Sequence, residues 1–131
     1  MEVLRVGFVG IRTSKSEETA VFFRDVIGLD MTRLDPSWSV LGLPTARFDL
    51  LEVYGSDFDH ARIAPADQPL FLGFIVADLV AAHTELTAGG HPVGEIVWAD
   101  EAFGNPEYAG FGWFFFQAPD GHAYAVQQAP D

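Results

Sequence analysis

The sequence predicts an α+β fold built from two tandem βαβββ modules. Three observations support this: a strand, a helix and three strands occur twice in order, short segments recur at fixed offsets, and the composition is that of a folded globule. Hydrophobic residues make up 49% of the chain and charged residues 20%. A length of 131 residues suits one domain over 1–131, which we divide into module one (1–55), a linker (56–69) and module two (70–128).

Module one begins with an apolar strand predicted over Val3–Thr13. Ser14 and Glu17 have the spacing of a capping box, which predicts that a helix starts near Lys15, and Gly28 is its expected end. Three strands separated by turn-forming residues complete the module. They are Leu29–Leu34, Trp38–Leu43 and Ala46–Tyr54.

The same pattern restarts after a polar linker with two prolines. A strand over Leu70–Val76 precedes a helix with Asp78 as its N-cap and Gly89–Gly90 at its end. The remaining elements are a strand over Val93–Trp98, a loop over Asp100–Tyr108, and a hairpin of strands Trp113–Gln117 and His122–Gln127 around the turn Ala118–Gly121.

Two segment pairs support an internal repeat. Phe8–Ile11 aligns with Phe71–Phe74 at an offset of 63 residues, and Phe48–Leu50 aligns with Tyr124–Val126 at an offset of 76. The second alignment makes Asp49 the counterpart of Ala125.

Composition and charge exclude several classes of function. The chain has no cysteine, which removes disulfides, thiolate metal sites and a cysteine nucleophile. A net charge of −12 repels phosphate backbones and anionic lipids, so we expect no nucleic-acid or membrane partner. That charge suits a cationic small ligand, or serves only solubility. Met1–Gly10 does not resemble a signal peptide and no apolar run has the length of a membrane span, so we expect a cytoplasmic protein.

The chain resembles the vicinal oxygen chelate superfamily of glyoxalases, bleomycin resistance proteins and extradiol dioxygenases. The resemblance covers essentially the whole chain and is strongest at Phe8–Ile11, Phe22–Leu29 and the turn Pro119–Gly121. Family members commonly have His-Val-Gly-Ile, Phe-Tyr-Arg-Asp-Val-Leu-Gly-Leu and Asp-Pro-Asp-Gly at these places. The resemblance implies a curled mixed sheet that forms a cup, with helices on its convex face, and a homodimer.

In this superfamily the metal ligands lie on the first and last strand of each module. The resemblance places them at Phe8, Asp49, Phe71 and Ala125, of which only Asp49 carries a donor atom. The four histidines form no ligand pair on one helix face. We therefore expect no metal and no cofactor, which argues against the metal-dependent isomerase and dioxygenase reactions of the family.

Strand alternation predicts which side chains line the cup. The expected ligand-binding set is Phe8, Arg12, Trp38, Arg47, Asp49, Phe71, Trp98, Tyr108, Trp113, Phe115 and Ala125. Phe114 and Phe116 are expected under the helices, and each tryptophan taken alone could equally be a core residue. Asp49 is the candidate catalytic residue, and it either pairs with Arg47, binds a cationic ligand or transfers a proton. Arg12 and Arg47 could equally recognise a carboxylate or phosphate on the ligand.

Two main function classes follow from these observations. The preferred class is a metal-free binding protein, closest in character to the bleomycin-resistance branch, that sequesters an antibiotic or secondary metabolite in the aromatic cup. The alternative is a superfamily enzyme of lyase, isomerase or dioxygenase type, acting on a small substrate with atypical or no metal ligands. A weaker third reading is a module of a larger assembly. The glycine-rich segment 100–112 is expected to be a mobile flap, which makes Trp113 the expected reporter of ligand binding.

Overall fold

The computed structural model describes residues 1–43, 46–58 and 63–130, and the side chains of 1–42, 50–58 and 63–130. The elements, in chain order, are β1 (Val3–Arg12), α1 (Ser16–Phe22, continued by a π-helical turn over Phe23–Ile27), β2 (Asp30–Arg33), β3 (Trp38–Leu43), β4 (Ala46–Tyr54), β5 (Leu70–Val76), α2 (Leu79–Ala88), β6 (Val97–Trp98), α3 (Ala99–Phe103), a 3₁₀ turn (Pro106–Tyr108), β7 (Gly112–Gln117) and β8 (Ala123–Gln128). None of the helices in these described ranges has the length and apolar character that crossing a membrane requires.

The chain divides into two compact units. The N-terminal unit comprises Gly7–Asp59 and Ala66–Leu72, and the C-terminal unit comprises Met1–Val6, His60–Pro65 and Gly73–Asp131. Each unit therefore contains part of β1 and part of β5.

In the N-terminal unit the strand order is β2-β3-β4-β1. The strands β2, β3 and β4 are antiparallel neighbours, whereas β1 and β4 are parallel. Helix α1 covers one face of this sheet, where Ala20, Leu41 and Val53 form a core that excludes water. At the end of β1 the Arg12 backbone N–H donates to the Pro69 carbonyl at 2.8 Å.

In the C-terminal unit the strand order is β5-β8-β7-β6. Here β5 and β8 are parallel and the closing hairpin β7–β8 is antiparallel. Helix α2 packs on one face through a buried cluster of apolar side chains that includes Phe114, and Phe116 packs against that cluster. The predicted place of Phe114 and Phe116 under the helices is therefore confirmed. The buried members are Val76, Leu79, Ala82, Phe114 and Val126.

Several local predictions are confirmed and have simple causes. The Asp78 side chain accepts a hydrogen bond from the Ala81 backbone N–H at 3.0 Å and caps α2. Gly28 ends the first helix at φ 91°, a conformation that favours glycine, and its N–H bonds to the Phe23 carbonyl. In the hairpin turn, Gly121 donates to the Ala118 carbonyl at 2.9 Å.

Three local predictions are wrong. Helix α1 begins at Ser16 without a side-chain cap, because the Thr13 hydroxyl, rather than a Ser14–Glu17 box, bonds to the Lys15 N–H. The second strand of module two, predicted over Val93–Trp98, is limited to Val97–Trp98, since proline and glycine precede it. The predicted loop over Asp100–Tyr108 instead contains α3 and the 3₁₀ turn.

Candidate functional site

The pairing of the parallel strands defines which residues of the two modules are equivalent. Gly10 on β1 lies opposite Glu52 on β4, and Gly73 on β5 lies opposite Ala125 on β8. Because Gly10 and Gly73 are themselves equivalent in the repeat, the counterpart of Ala125 is Glu52. The predicted equivalence of Asp49 and Ala125 is therefore wrong by three residues.

Glu52 is a buried carboxyl group held by two aromatic donors. The indole Nε1–H of Trp38 donates to Glu52 Oε1 at 2.8 Å, and the hydroxyl of Tyr54 donates to Glu52 Oε2 at 2.7 Å. Strand pairing creates this arrangement, since Trp38 lies opposite Tyr54 and Tyr54 is two residues from Glu52 on the same face of β4. The segment Leu51-Glu-Val-Tyr54 contained a local signal, because its acidic residue stands between apolar ones.

Burial changes the acid–base properties of this pair. Desolvation raises the pKa of the Glu52 carboxyl above its ordinary value, and the hydrogen bonds from Tyr54 and Trp38 offset part of that rise. Burial, the nearby Glu52 charge and the shared hydrogen bond raise the pKa of the Tyr54 phenol well above its ordinary value of 10. A carboxyl group in such surroundings can hold or release a proton closer to neutral pH than an exposed glutamate can.

Aromatic rings pack around Tyr54, one of the two donors to the carboxyl group. The ring of Tyr54 stacks on Phe58 with a centroid distance of 4.7 Å and meets Phe71 edge-on at 5.7 Å. Gly10 permits this packing, because a Cβ there would lie 2.6 Å from Tyr54 Cε2 and 2.9 Å from Phe8 Cε2. We call this set the Glu52 cluster. Its members are Phe8, Trp38, Glu52, Tyr54, Phe58 and Phe71.

Two arginines lie over rings of the Glu52 cluster. The guanidinium carbon of Arg33 is 4.6 Å from the centroid of a Trp38 ring, and that of Arg12 is 5.0 Å from the Phe71 centroid. Arg12 Nη1 also donates to the Ala66 carbonyl at 3.4 Å. Arg12 thus lies beside Phe71, its role in ligand binding stays a prediction, and Arg33 was not among the predicted residues.

The parity predicted for β4 is wrong. By strand alternation, the predicted place of Asp49 in the cup implies the same face for Val53, four residues further along β4. Val53 instead packs with Ala20 and Leu41 on the face that α1 covers, so Glu52 and Tyr54 occupy the opposite face. The backbone of β4 includes Arg47 and Asp49, but their side chains lie outside the described residues. Their proposed roles stay predictions.

In the C-terminal unit, Trp113 and Phe115 alternate with Phe114, which places them on the sheet face opposite α2. Trp113 lies 6.2 Å from Phe103 and 5.7 Å from Phe111 between ring centroids, and Phe103 lies 5.7 Å from Tyr108.

Two other predicted residues of this unit have different surroundings. Trp98 packs against the helix-covered core and against Gly112, so its predicted place in the cup is corrected. Ala125 is buried opposite Phe115.

The donor set does not fit the metal that this fold binds in the superfamily. Of the equivalent positions Phe8, Glu52, Phe71 and Ala125, only Glu52 offers oxygen ligands, and first-row metals need several nitrogen, oxygen or sulfur donors. Within 1–42, 50–58 and 63–130, no group of three or more histidine, aspartate or glutamate side chains is placed to hold a metal ion. His83 instead packs edge-on against Phe114.

No protein-family model and no curated protein sequence matches the chain. Solved structures, however, match its fold. A glyoxalase/bleomycin resistance protein/dioxygenase superfamily member from Vibrio splendidus 12B01 is 19% identical, with 95% of this chain and 98% of that chain covered and a TM-score of 0.60. Methylmalonyl-CoA epimerase from Mycobacterium tuberculosis is 14% identical over 98% of this chain and 90% of that chain, with a TM-score of 0.67.

A third match is the Mn(II)-bound glyoxalase from Novosphingobium aromaticivorans, which is 17% identical over 97% of this chain and 39% of that chain, with a TM-score of 0.68. At these identities the likeness concerns the fold. The predicted class, α+β with two βαβββ modules and a curled mixed sheet, is confirmed, and it is the fold of the glyoxalase and dioxygenase superfamily.

Proposed function

We propose that this protein is a member of the glyoxalase/bleomycin resistance protein/dioxygenase superfamily that binds a small molecule without a divalent metal. One observation carries the proposal: the positions equivalent to the ligand set of the superfamily hold Phe8, Phe71 and Ala125, and retain only the carboxyl group of Glu52. An aromatic site with one fixed acidic group is suited to recognition, because it offers contact area together with one directional polar contact.

The Glu52 cluster supports a particular kind of ligand. A carboxylate has about four acceptor positions, and the hydrogen bonds from Trp38 and Tyr54 use two of them. A cationic or N–H-bearing ligand would use the remaining positions, with its apolar part against the rings of Phe58 and Phe71. Sequestration of an antibiotic or secondary metabolite, in a cytoplasmic homodimer, is the finer form of the proposal. Apolar side chains exposed on the first helix, at Phe22, Val26 and Ile27, support the dimer.

The experiment that tests the binding function is a thermal-shift screen of wild type and Glu52→Gln. The screen uses cationic, neutral and anionic aromatic compounds, each with and without EDTA. We expect at least one cationic compound to raise the melting temperature of wild type equally with and without EDTA, and to raise that of Glu52→Gln less. Stabilisation that EDTA abolishes would contradict the metal-free site.

A second candidate function is an enzyme that moves a proton through Glu52. The raised pKa of this carboxyl favours it, because a general base works best when its pKa lies near the operating pH. Methylmalonyl-CoA epimerase is among the structural neighbours, and epimerisation inverts a stereocentre whose proton must leave.

Deuterium incorporation distinguishes this candidate from simple binding. Methylmalonyl-CoA is incubated with the protein in D₂O, and uptake of deuterium at the carbon between the two carbonyl groups is followed by mass spectrometry. An enzyme of this kind would accelerate uptake above the buffer rate, and Glu52→Gln would remove the acceleration. A rate equal to that of buffer rules out this substrate and leaves the binding proposal intact.

A further inference from the structure

Gln127 on β8 has a buried amide oxygen. The residue is only 4% exposed, and among the described residues no donor bonds to its Oε1. A buried acceptor without a partner destabilises a fold, so most buried polar atoms in proteins are paired. This strand is otherwise largely apolar, with Ala123, Ala125 and Val126.

Strand pairing shows what surrounds this amide. Gln127 lies directly opposite Trp113 on β7 and opposite Ile75 on β5. Val126, its neighbour in the strand, belongs to the core under α2, so the Gln127 side chain lies on the other face of the sheet. Side chains of directly opposed residues on one face are in contact range. Trp113 therefore flanks the amide, and its indole adjoins Phe103 and Phe111.

We propose that Gln127 and Trp113 form a ligand subsite in the C-terminal unit for a flat aromatic group bearing an N–H or O–H donor. The ring of the ligand packs on the indole of Trp113, and its donor bonds to Gln127 Oε1. The subsite shares with the proposed function the premise that the protein binds small molecules, but it does not depend on Glu52.

Trp113 has to move when this subsite is occupied. Gln127 Oε1 is excluded from solvent, whereas Trp113 on the facing strand is only half-buried. Binding therefore changes the surroundings of the indole together with those of the amide.

Two benzamides that differ in their N–H donors test the donor requirement, and Gln127→Met controls for their difference in shape. Benzamide carries N–H donors and N,N-dimethylbenzamide carries none. Each is titrated into ¹⁵N-labelled wild type, Gln127→Met and Glu52→Gln, and the indole N–H resonance of Trp113 and the side-chain amide of Gln127 are followed by NMR. Gln127→Met keeps the side-chain length and removes the acceptor.

We expect benzamide to shift both resonances saturably in wild type and in Glu52→Gln, with N,N-dimethylbenzamide about tenfold weaker, as the loss of one hydrogen bond implies. In Gln127→Met the Trp113 resonance should show no preference between the two compounds. Equal binding of both compounds to wild type, or no shift of either resonance, overturns the subsite. Shifts confined to Trp38 and Tyr54 would overturn the subsite while leaving the binding function in place.

Unfolding in urea gives a second readout. Gln127→Met should be at least as stable as wild type, because it removes an unsatisfied acceptor and preserves the side-chain volume. A less stable Gln127→Met would show that the amide has a structural partner, which overturns the proposal.

Discussion

Replacing Glu52 by leucine should destabilise the protein far more than replacing it by glutamine. Leucine removes the acceptor of the half-buried indole N–H of Trp38 and of the buried hydroxyl of Tyr54. Loss of the acceptor of such a donor costs about 1–3 kcal/mol, so Glu52→Leu should lower the free energy of unfolding by about 2–6 kcal/mol. Glutamine can accept from Trp38 with its oxygen and donate to the oxygen of Tyr54 with its amide, so Glu52→Gln should lie within about 1 kcal/mol of wild type.

Equilibrium unfolding in urea at neutral pH measures all three proteins, with Glu95→Leu as the control for placing leucine at an exposed glutamate. The control should stay within about 0.5 kcal/mol of wild type. If Glu52→Leu proves as stable as Glu52→Gln, the two aromatic donors do not depend on Glu52 and the account of the Glu52 cluster is wrong.

Three further predictions concern pH, packing and assembly. Folding raises the pKa of the Glu52 carboxyl above its ordinary value of 4.5. The protonated carboxyl therefore makes its full contribution to the free energy of unfolding below pH 4.5, and this contribution is lost as the pH rises through the pKa of the folded state. The unfolding free energy of wild type minus that of Glu52→Gln should therefore fall as pH rises from 4.5, and a rise would contradict the sign of the shift. Gly10→Ala should cost about 1–3 kcal/mol, measured by urea unfolding, because its methyl group meets the rings of Tyr54 and Phe8; unchanged stability would refute this close approach. Light scattering at micromolar concentration should give about twice the chain mass of 14.3 kDa, and a clean monomer would refute the dimer.

The fold was predictable from the sequence because its strong signals are local. Each signal determines a short segment through the chemistry of its own residues. Examples are the alternating apolar strands, the Asp78 cap, the helix end at Gly28 and the turn at Gly121. The failures were also local. The expected cap of α1 did not form, and α3 formed in a segment whose glycines and proline suggested a loop.

The candidate site was harder to predict because it depends on strand register. The prediction of Asp49 instead of Glu52 came from the alignment of two short segments. The strand pairing that corrects it, Gly10 with Glu52 and Gly73 with Ala125, is not visible in the sequence. Asp49 and Glu52 are three residues apart, and a shift of an odd number of residues exchanges the two faces of a strand. The same error implies that Val53 lies in the cup, whereas Val53 packs in the core under α1. The predicted faces of the β7 side chains were correct. The turn of the hairpin fixes how β7 pairs with β8, and side chains alternate between the two faces along the strand.

A native mass spectrum of freshly purified protein, prepared without chelator, shows whether a divalent metal accompanies a bound small molecule. Metal-free binding predicts no mass increment of a divalent metal, and an increment of one small organic molecule per chain after incubation with a compound that the thermal-shift screen identifies. That increment should weaken in Glu52→Gln and persist in EDTA. About one zinc, iron, nickel or manganese ion per chain, lost together with the organic molecule on addition of EDTA, would contradict metal-free binding at Glu52.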